Sequence, residues 1–196
     1  MSGLKEKRKF EQNLIRVKDA IVATSEHYNI DYIYTNYRDR PKYVKVMNRY
    51  HGFFRASISA QFTAMLLTLS KVLDKNTKNN RISIYSLLKS AEKHKLIEPA
   101  KLQKIKNDLN GTDEMFRKLQ VLRNNQFAHL GNLDSKKAFR IAGISPNDLK
   151  KLIDLSIDIL QSIYHAYGRP DFAFDYHSKK DTYSLLNDLQ ESKANC

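Results

Sequence analysis

Cysteine, glycine and proline are scarce in this chain. The only cysteine among the 196 residues is Cys196, so neither a disulfide framework nor a cysteine-based zinc site can form within one chain. Glycine occurs six times and proline four times, while hydrophobic residues make up 41% of the sequence. This balance is typical of a globular protein rather than a disordered one. We predict one domain at residues 1–170, followed by a C-terminal tail at residues 171–196.

Long hydrophobic runs are also missing. The densest apolar stretch, residues 64–69, is followed at once by Ser70 and Lys71 and is too short to cross a bilayer. The first nine residues are rich in charge and lead into no apolar secretory core. We therefore expect no membrane association and a cytoplasmic location.

Motifs that hold metals or cofactors do not occur. There is no glycine-rich phosphate loop, no Gly-x-Ser-x-Gly elbow and no His-Glu-x-x-His spacing. We expect neither a metal nor a cofactor. His51 is expected to be a core residue because it lies on an apolar helical stripe. The six histidines of the sequence are His27, His51, His94, His129, His165 and His177.

Positive charge is in excess and unevenly distributed. The net charge is +13, of which residues 1–60 carry +6 and residues 71–107 carry +7, whereas residues 141–196 carry −2. A basic surface of this size attracts polyanions by releasing their counterions, and nucleic acid is the commonest polyanion in a cytoplasm. The charge favours nucleic acid as a partner, although solubility alone could also explain it.

Helical periodicity dominates the chain, and no strand pattern is evident. The fold class predicted is all-α, an antiparallel bundle of about six helices. Ser145, Pro146 and Asp148 predict a capped start for the sixth helix. Residues 31–43 and the segment before Gly143 are interpreted as connections. The predicted helices lie at about residues 4–29, 47–72, 82–95, 99–110, 112–131 and 146–167, with one more short helix near 182–190.

Aromatic and basic side chains alternate in the segment that precedes the predicted second helix. This combination suits unpaired bases that stack over a cationic track, and the residues proposed to bind RNA are Tyr37, Arg38 and Arg40. Packing in the core or at a dimer interface is the alternative interpretation. The full cluster is Tyr28, Tyr32, Tyr34, Tyr37, Arg38, Arg40 and Tyr43.

The most informative segment is residues 122–129, Leu-Arg-Asn-Asn-Gln-Phe-Ala-His. Arg123 offers a planar fork of donors for a phosphate, and His129 can transfer a proton near neutral pH. On a straight helix the two side chains would lie about 120° apart. They could share a phosphate if the helix loosens, or if a second copy of the chain contributes. A structural histidine and a solvated arginine are the alternative interpretation.

Arg123 and Asn124, followed by His129, resemble the defining motif of the HEPN superfamily: an arginine, a polar residue directly after it, and a histidine four to six residues further on. The longer text of residues 122–130 resembles the branch named for the abortive-infection protein AbiU. Residues 69–75 and 83–88 resemble the same branch. The similarity covers roughly residues 44–165.

The resemblance implies a helical bundle that forms a homodimer, with two motifs facing each other in a cleft. It implies a metal-independent endoribonuclease with a toxin or phage-defence role. Arg123 would hold the scissile phosphate, His129 would be the general acid or base, and Asn124 would orient the arginine or the substrate. The alternative is a non-catalytic helical adaptor that binds RNA or a protein. An antitoxin or a nucleotidyltransferase is a further possible partner.

Overall fold

Helices form the secondary structure of this protein. The computed structural model describes residues 2–78, 82–128, 135–173 and 177–192, and within these ranges it contains nine helices and no strand. The predicted all-α class is therefore confirmed. The helices are α1 (Ser2–Thr35), α2 (Arg40–Arg49), α3 (His51–Val72), α4 (Ile84–Lys93), α5 (Pro99–Asn110), α6 (Asp113–Ala128), α7 (Ser135–Ala142), α8 (Pro146–Ala166) and α9 (His177–Glu191).

The helices pack into two compact units. The first unit comprises Met1–Ile21 and Leu66–Ala173, and the second comprises Val22–Met65 and Phe174–Cys196. Helices α1 and α3 each contribute one part to each unit. The domain boundary proposed at residue 170 stays a prediction.

In the first unit, α5 packs against α4 and α8, while α6 packs against α7 and α8. Helix α8 starts as its sequence predicts: the Ser145 hydroxyl accepts a hydrogen bond from the Asp148 N–H, and the Asp148 carboxylate accepts one from the Ser145 N–H. The core is made of aliphatic and aromatic side chains with almost no exposed surface, among them Phe10, Leu69, Ile84, Leu109, Leu119, Leu122, Leu152 and Leu160.

In the second unit, α2 and α9 pack against each other. The Tyr43 hydroxyl donates to the Asn187 side chain at 3.0 Å, and the Gln190 amide donates to the Lys42 carbonyl at 2.6 Å. These two bonds fix α9 along α2. The core of the unit consists of Ile33, Tyr34, Tyr43, Val46, Met47, Phe54 and Leu186.

The long second helix predicted from Met47 onward is interrupted in the structure. Tyr50 leaves the helical region, with φ −109° and ψ 40°, and separates α2 from α3. Gly52 lies just beyond the break and weakens the first turn of α3, because glycine in a helix costs about 1 kcal/mol relative to alanine. His51 is exposed at this break, so its prediction as a core histidine is wrong.

Three further differences from the sequence prediction concern where helices begin and end. Helix α1 extends to Thr35, beyond the predicted end near residue 29, and α9 begins five residues before the predicted 182. The connection expected before Gly143 contains α7. This helix has only eight residues and buries Ala138 and Ala142, one turn apart, so its apolar stripe is too small to stand out in the sequence.

We predict that α9 stabilises the second unit through Leu186, which has no exposed surface. Leu186→Ala should lower the free energy of unfolding by about 2–5 kcal/mol, because the truncated side chain leaves a cavity in the core. The neighbouring Leu185 is 43% exposed, and Leu185→Ala should have little effect. Urea unfolding followed by circular dichroism measures both variants, and equal midpoints for the two would contradict the packing of α9.

Candidate functional site

Helix α6 carries the predicted catalytic motif in the first unit. Leu119 and Leu122 on this helix have no exposed surface and pack into the core. At about 100° of rotation per residue, Arg123 follows Leu119 by one turn and borders this stripe, while Asn124 lies on the opposite side of the helix. Arg123 is accordingly half-buried and Asn124 is exposed. The buried leucines thus decide which face of α6 is exposed, and Asn124 lies on that face.

Arg123 is held by its neighbour in sequence. Its Nη2 atom donates to Asn124 Oδ1 at 3.0 Å, and its Nε atom donates to the same oxygen at 3.3 Å. A guanidinium group has five N–H donors, so these bonds orient its plane and use two of them. The side chains predicted to act together at positions 123 and 124 are therefore in contact.

The motif continues toward the end of α6. Asn125 and Gln126 are half-buried, and Gln126 follows Leu119 and Leu122 along the same stripe. Its amide oxygen is buried and has no hydrogen-bond partner within the described part of the chain. His129, the predicted acid–base residue, lies outside the described residues, as does Cys196. The pairing of His129 with Arg123 stays a prediction.

The start of α6 is tied to two other segments of the first unit. Asp113 accepts a bond from Lys75 Nζ at 2.7 Å and one from the Tyr85 hydroxyl at 3.4 Å. The Ser83 hydroxyl donates to the Asp74 carbonyl at 2.5 Å. Burial and the nearby Asp113 carboxylate raise the pKa of Tyr85 to about 12. The segments that resemble the AbiU branch, residues 69–75 and 83–88, thus meet the helix that bears the motif.

Thr112 lies directly before α6, and its hydroxyl donates to the Leu109 carbonyl at the end of α5. It therefore stabilises the preceding helix. The first turn of α6 contains Asp113 and Glu114, and negative charge is favourable at that end of the helix dipole.

The aromatic and basic cluster of the second unit divides into buried and exposed parts. Tyr28, Tyr34 and Tyr43 are buried, and the last two belong to the core of that unit. The proposed RNA-binding residues are all exposed, and Tyr37 is 77% exposed. The three buried tyrosines fit the core-packing interpretation, whereas RNA binding by Tyr37, Arg38 and Arg40 stays a prediction.

Asn36 builds the turn that presents Tyr37 and Arg38. Its buried side chain accepts hydrogen bonds from the backbone N–H groups of Arg38 and Asp39, at 2.8 and 2.9 Å, and donates to the Tyr32 carbonyl at 2.6 Å. Arg38 Nε donates to the Tyr37 hydroxyl at 3.1 Å, and its guanidinium carbon lies 5.5 Å from the centre of that ring. The pair forms one exposed aromatic and cationic surface.

Asp31 is a titratable group to which the sequence interpretation gave no role. Burial raises its pKa from the ordinary 3.8 to about 7. In the same unit, His27 Nδ1 lies 2.6 Å from Gln61 Oε1. Once α1 is extended to Thr35, helical periodicity places Asp31 on the stripe of the buried residues Thr24 and Tyr28. That spacing is the signal that could have identified Asp31.

Two classes of feature are missing from the described ranges. No group of three or more histidine, cysteine, aspartate or glutamate side chains in the described part of the chain could hold a metal ion. Among its helices, none is long and apolar enough to span a membrane.

A family model places the chain among known proteins. The model HEPN_AbiU2, described as AbiU2, matches residues 12–186, which is most of the sequence. The chain belongs to this family. The predicted membership of the HEPN superfamily is thus confirmed, and the matched range of this HEPN_AbiU2 protein includes positions 123, 124 and 129. No curated protein and no solved structure matches the chain at a significant level.

We predict that Asp31 makes the stability of this HEPN_AbiU2 protein depend on pH. A pKa raised in the folded state gives stability that is complete below about pH 4 and is lost as the pH rises to about 7. Asp31→Asn should remove this loss. One pKa unit corresponds to about 1.4 kcal/mol of unfolding free energy. Because solvent screens a half-buried carboxylate, we expect Asp31→Asn to be more stable than the wild type at pH 8 by about 2 kcal/mol.

Urea unfolding of the wild type and of Asp31→Asn at pH 4.5, 6 and 8 measures this effect. Asp19→Asn is the matched control, because Asp19 lies on the same helix with an exposed side chain. If the difference between Asp31→Asn and wild type is constant across this pH range, Asp31 does not titrate as described.

Proposed function

We propose that this protein is a metal-independent endoribonuclease with a toxin or phage-defence role. In this proposal Arg123 and His129 act on an RNA phosphate in a cleft between two copies of the chain. The observation that carries it is the half-buried Arg123, whose guanidinium is oriented by Asn124 and whose neighbour Leu122 is fully buried. Membership of the HEPN_AbiU2 family supports the same function.

The chemistry requires a proton acceptor, a proton donor and a cation. The 2′-hydroxyl loses a proton and attacks the adjacent phosphorus, the bond to the 5′-oxygen breaks, and that oxygen gains a proton. The products are a 2′,3′-cyclic phosphate and a free 5′-hydroxyl. His129 supplies one of the two proton transfers, and Arg123 stabilises the negative charge that develops on the phosphate oxygens.

Two copies of the chain would solve a geometric difficulty. Arg123 and His129 lie about 120° apart around a straight helix, so one copy does not easily direct both groups to one phosphate. Apolar surface next to the motif supports association: Val121 on α6 is 41% exposed, and Ile141 on the adjacent α7 is 52% exposed. A partner copy that covers these residues would bring a second motif close to the first.

Tyr37, Arg38 and Arg40 are proposed as further RNA contacts. All three are exposed in the second unit, and the Arg38 guanidinium lies over the Tyr37 ring. Arginine binds phosphate, and an exposed tyrosine offers a surface for an unpaired base.

Removal of either motif residue should abolish most RNA cleavage. We expect Arg123→Ala and His129→Ala each to lower the single-turnover rate by about 100-fold or more, measured with a fluorescent single-stranded RNA in EDTA. Arg117→Ala removes an exposed arginine from the same helix, and His165→Ala removes an exposed histidine from α8. Both controls should cleave at the wild-type rate.

Other outcomes separate the competing functions. Equal cleavage by all five proteins would remove Arg123 and His129 from the mechanism. Wild-type protein that binds the RNA without cleaving it would be a helical RNA-binding adaptor instead.

We predict that Asn124 acts through Arg123. Loss of a hydrogen bond to a charged group, worth about 1.5 kcal/mol, predicts a roughly 10-fold slower single-turnover cleavage by Asn124→Ala. In an Arg123→Ala background, Asn124→Ala should cause no further loss, because the group that it positions is gone. The four rates form a double-mutant cycle, and additive effects would show that Asn124 contacts the substrate independently.

A further inference from the structure

A segment with many exposed basic and aromatic side chains runs from the turn before α2 to the first turn of α3. It lies entirely within the second unit. Residues 37–55 contain six lysine or arginine residues and one acidic residue. We define the α2 strip as Tyr37, Arg38, Lys45, Arg49, Tyr50 and Phe53, all of which are exposed.

The cations of the α2 strip form no ion pair with a carboxylate in the described part of the chain. The single acidic residue, Asp39, contacts Lys42 at 3.2 Å and also accepts a hydrogen bond from Asn36. Lys45 and Arg49 take part in no ion pair within the described part of the chain. They are four residues apart and therefore lie on one face of α2. The strip offers cations that a phosphate backbone would pair with.

Exposed aromatic rings accompany these cations. Phe53 is 59% exposed and Tyr50 is 40% exposed, although side chains of this size are usually buried. The Arg49 guanidinium carbon lies 5.8 Å from the centre of the Tyr50 ring, which repeats the arrangement of Arg38 and Tyr37. An aromatic ring beside an arginine can stack against a base while the arginine binds the phosphate of the same nucleotide.

The buried face of α2 distinguishes between two kinds of polyanionic partner, an anionic membrane and a nucleic acid. Tyr43, Val46 and Met47 form the apolar face of α2, and all three are packed in the core of the second unit. Insertion into an anionic bilayer would need that apolar face. Binding of an unpaired nucleic-acid strand needs only the outer face. The ten residues of α2 span about 15 Å, or about four stacked nucleotides at roughly 3.4 Å each.

We propose that the α2 strip binds single-stranded RNA. The bases stack on Tyr37, Tyr50 and Phe53, and the phosphates contact Arg38, Lys45 and Arg49. The choice of RNA among polyanions rests on the proposed ribonuclease function, and the inference adds that the substrate is unpaired where it meets this surface. Paired RNA keeps its bases inside the helix and offers no faces for stacking.

Fluorescence anisotropy with a labelled 12-nucleotide oligouridine tests this proposal. The full-length Arg123→Ala protein in EDTA serves as the parent, so that the probe stays intact. Added Tyr50→Ala and Phe53→Ala substitutions should each raise the dissociation constant about 10-fold. Arg49→Glu should weaken binding and also reduce its dependence on salt, since a phosphate contact is lost. A duplex of the same length should bind more weakly than the single strand.

Matched controls remove the same chemistry from other surfaces. Ile15→Ala truncates a side chain that is 51% exposed on α1, and Arg117→Glu reverses an exposed charge on α6. Both should bind like the parent. Thermal unfolding of every variant checks that the fold is retained.

Several results would overturn the α2 strip as an RNA site. Unchanged binding by the three strip variants would do so, and so would equal losses in the controls. Preference for phosphatidylserine vesicles over RNA, with the same variants affected, would assign the strip to a membrane surface. The ribonuclease proposal is tested separately by wild-type cleavage. If the strip variants lose RNA binding and the wild type does not cleave RNA, only the ribonuclease proposal is refuted. If the wild type cleaves RNA and the strip variants bind and cleave it normally, only the α2 strip proposal is refuted.

Discussion

The burial of Leu119 and Leu122 is the constraint on which the candidate site depends. Both side chains are completely enclosed, so α6 cannot rotate about its axis without exposing apolar surface that costs about 2 kcal/mol or more per leucine. That fixed rotation leaves Arg123 half-buried at the border of the stripe and Asn124 exposed. Asp113, bound to Lys75 and Tyr85, holds the other end of the helix. The motif is therefore presented by a helix that is anchored along its length.

The parts of this structure that the sequence predicts are those with a strong apolar stripe. The leucines of α6 recur with the helical period, and the capping box of α8 at Ser145 is a local motif of four residues; both are found as expected. Helix α7 was missed because its buried residues are alanines. The end of α1 was missed because it depends on Asn36, whose side chain binds three backbone groups in a turn. No periodic pattern encodes such a turn.

Positive charge serves two different purposes in these proposals. At Arg123 a single oriented guanidinium stabilises charge that develops during a reaction, and its value depends on geometry. Along the α2 strip several cations and rings bind a flexible strand, and the affinity depends on the number of contacts and on the salt concentration. The two features lie in different units, and the net charge of +13 is large enough to supply both. Variants of one should therefore change the cleavage step, and variants of the other should change binding.

The residue type at position 124 fits a phosphate-binding arginine better than a carboxylate would. An aspartate there could accept the same two hydrogen bonds, but its negative charge would compete with the phosphate for the guanidinium group. The amide oxygen of Asn124 orients Arg123 and leaves its full charge available. No ion pair in the described ranges involves Arg123, so its charge is not neutralised by a described carboxylate. An oriented cation without an acidic partner at a protein surface is what binding of an anionic transition state requires.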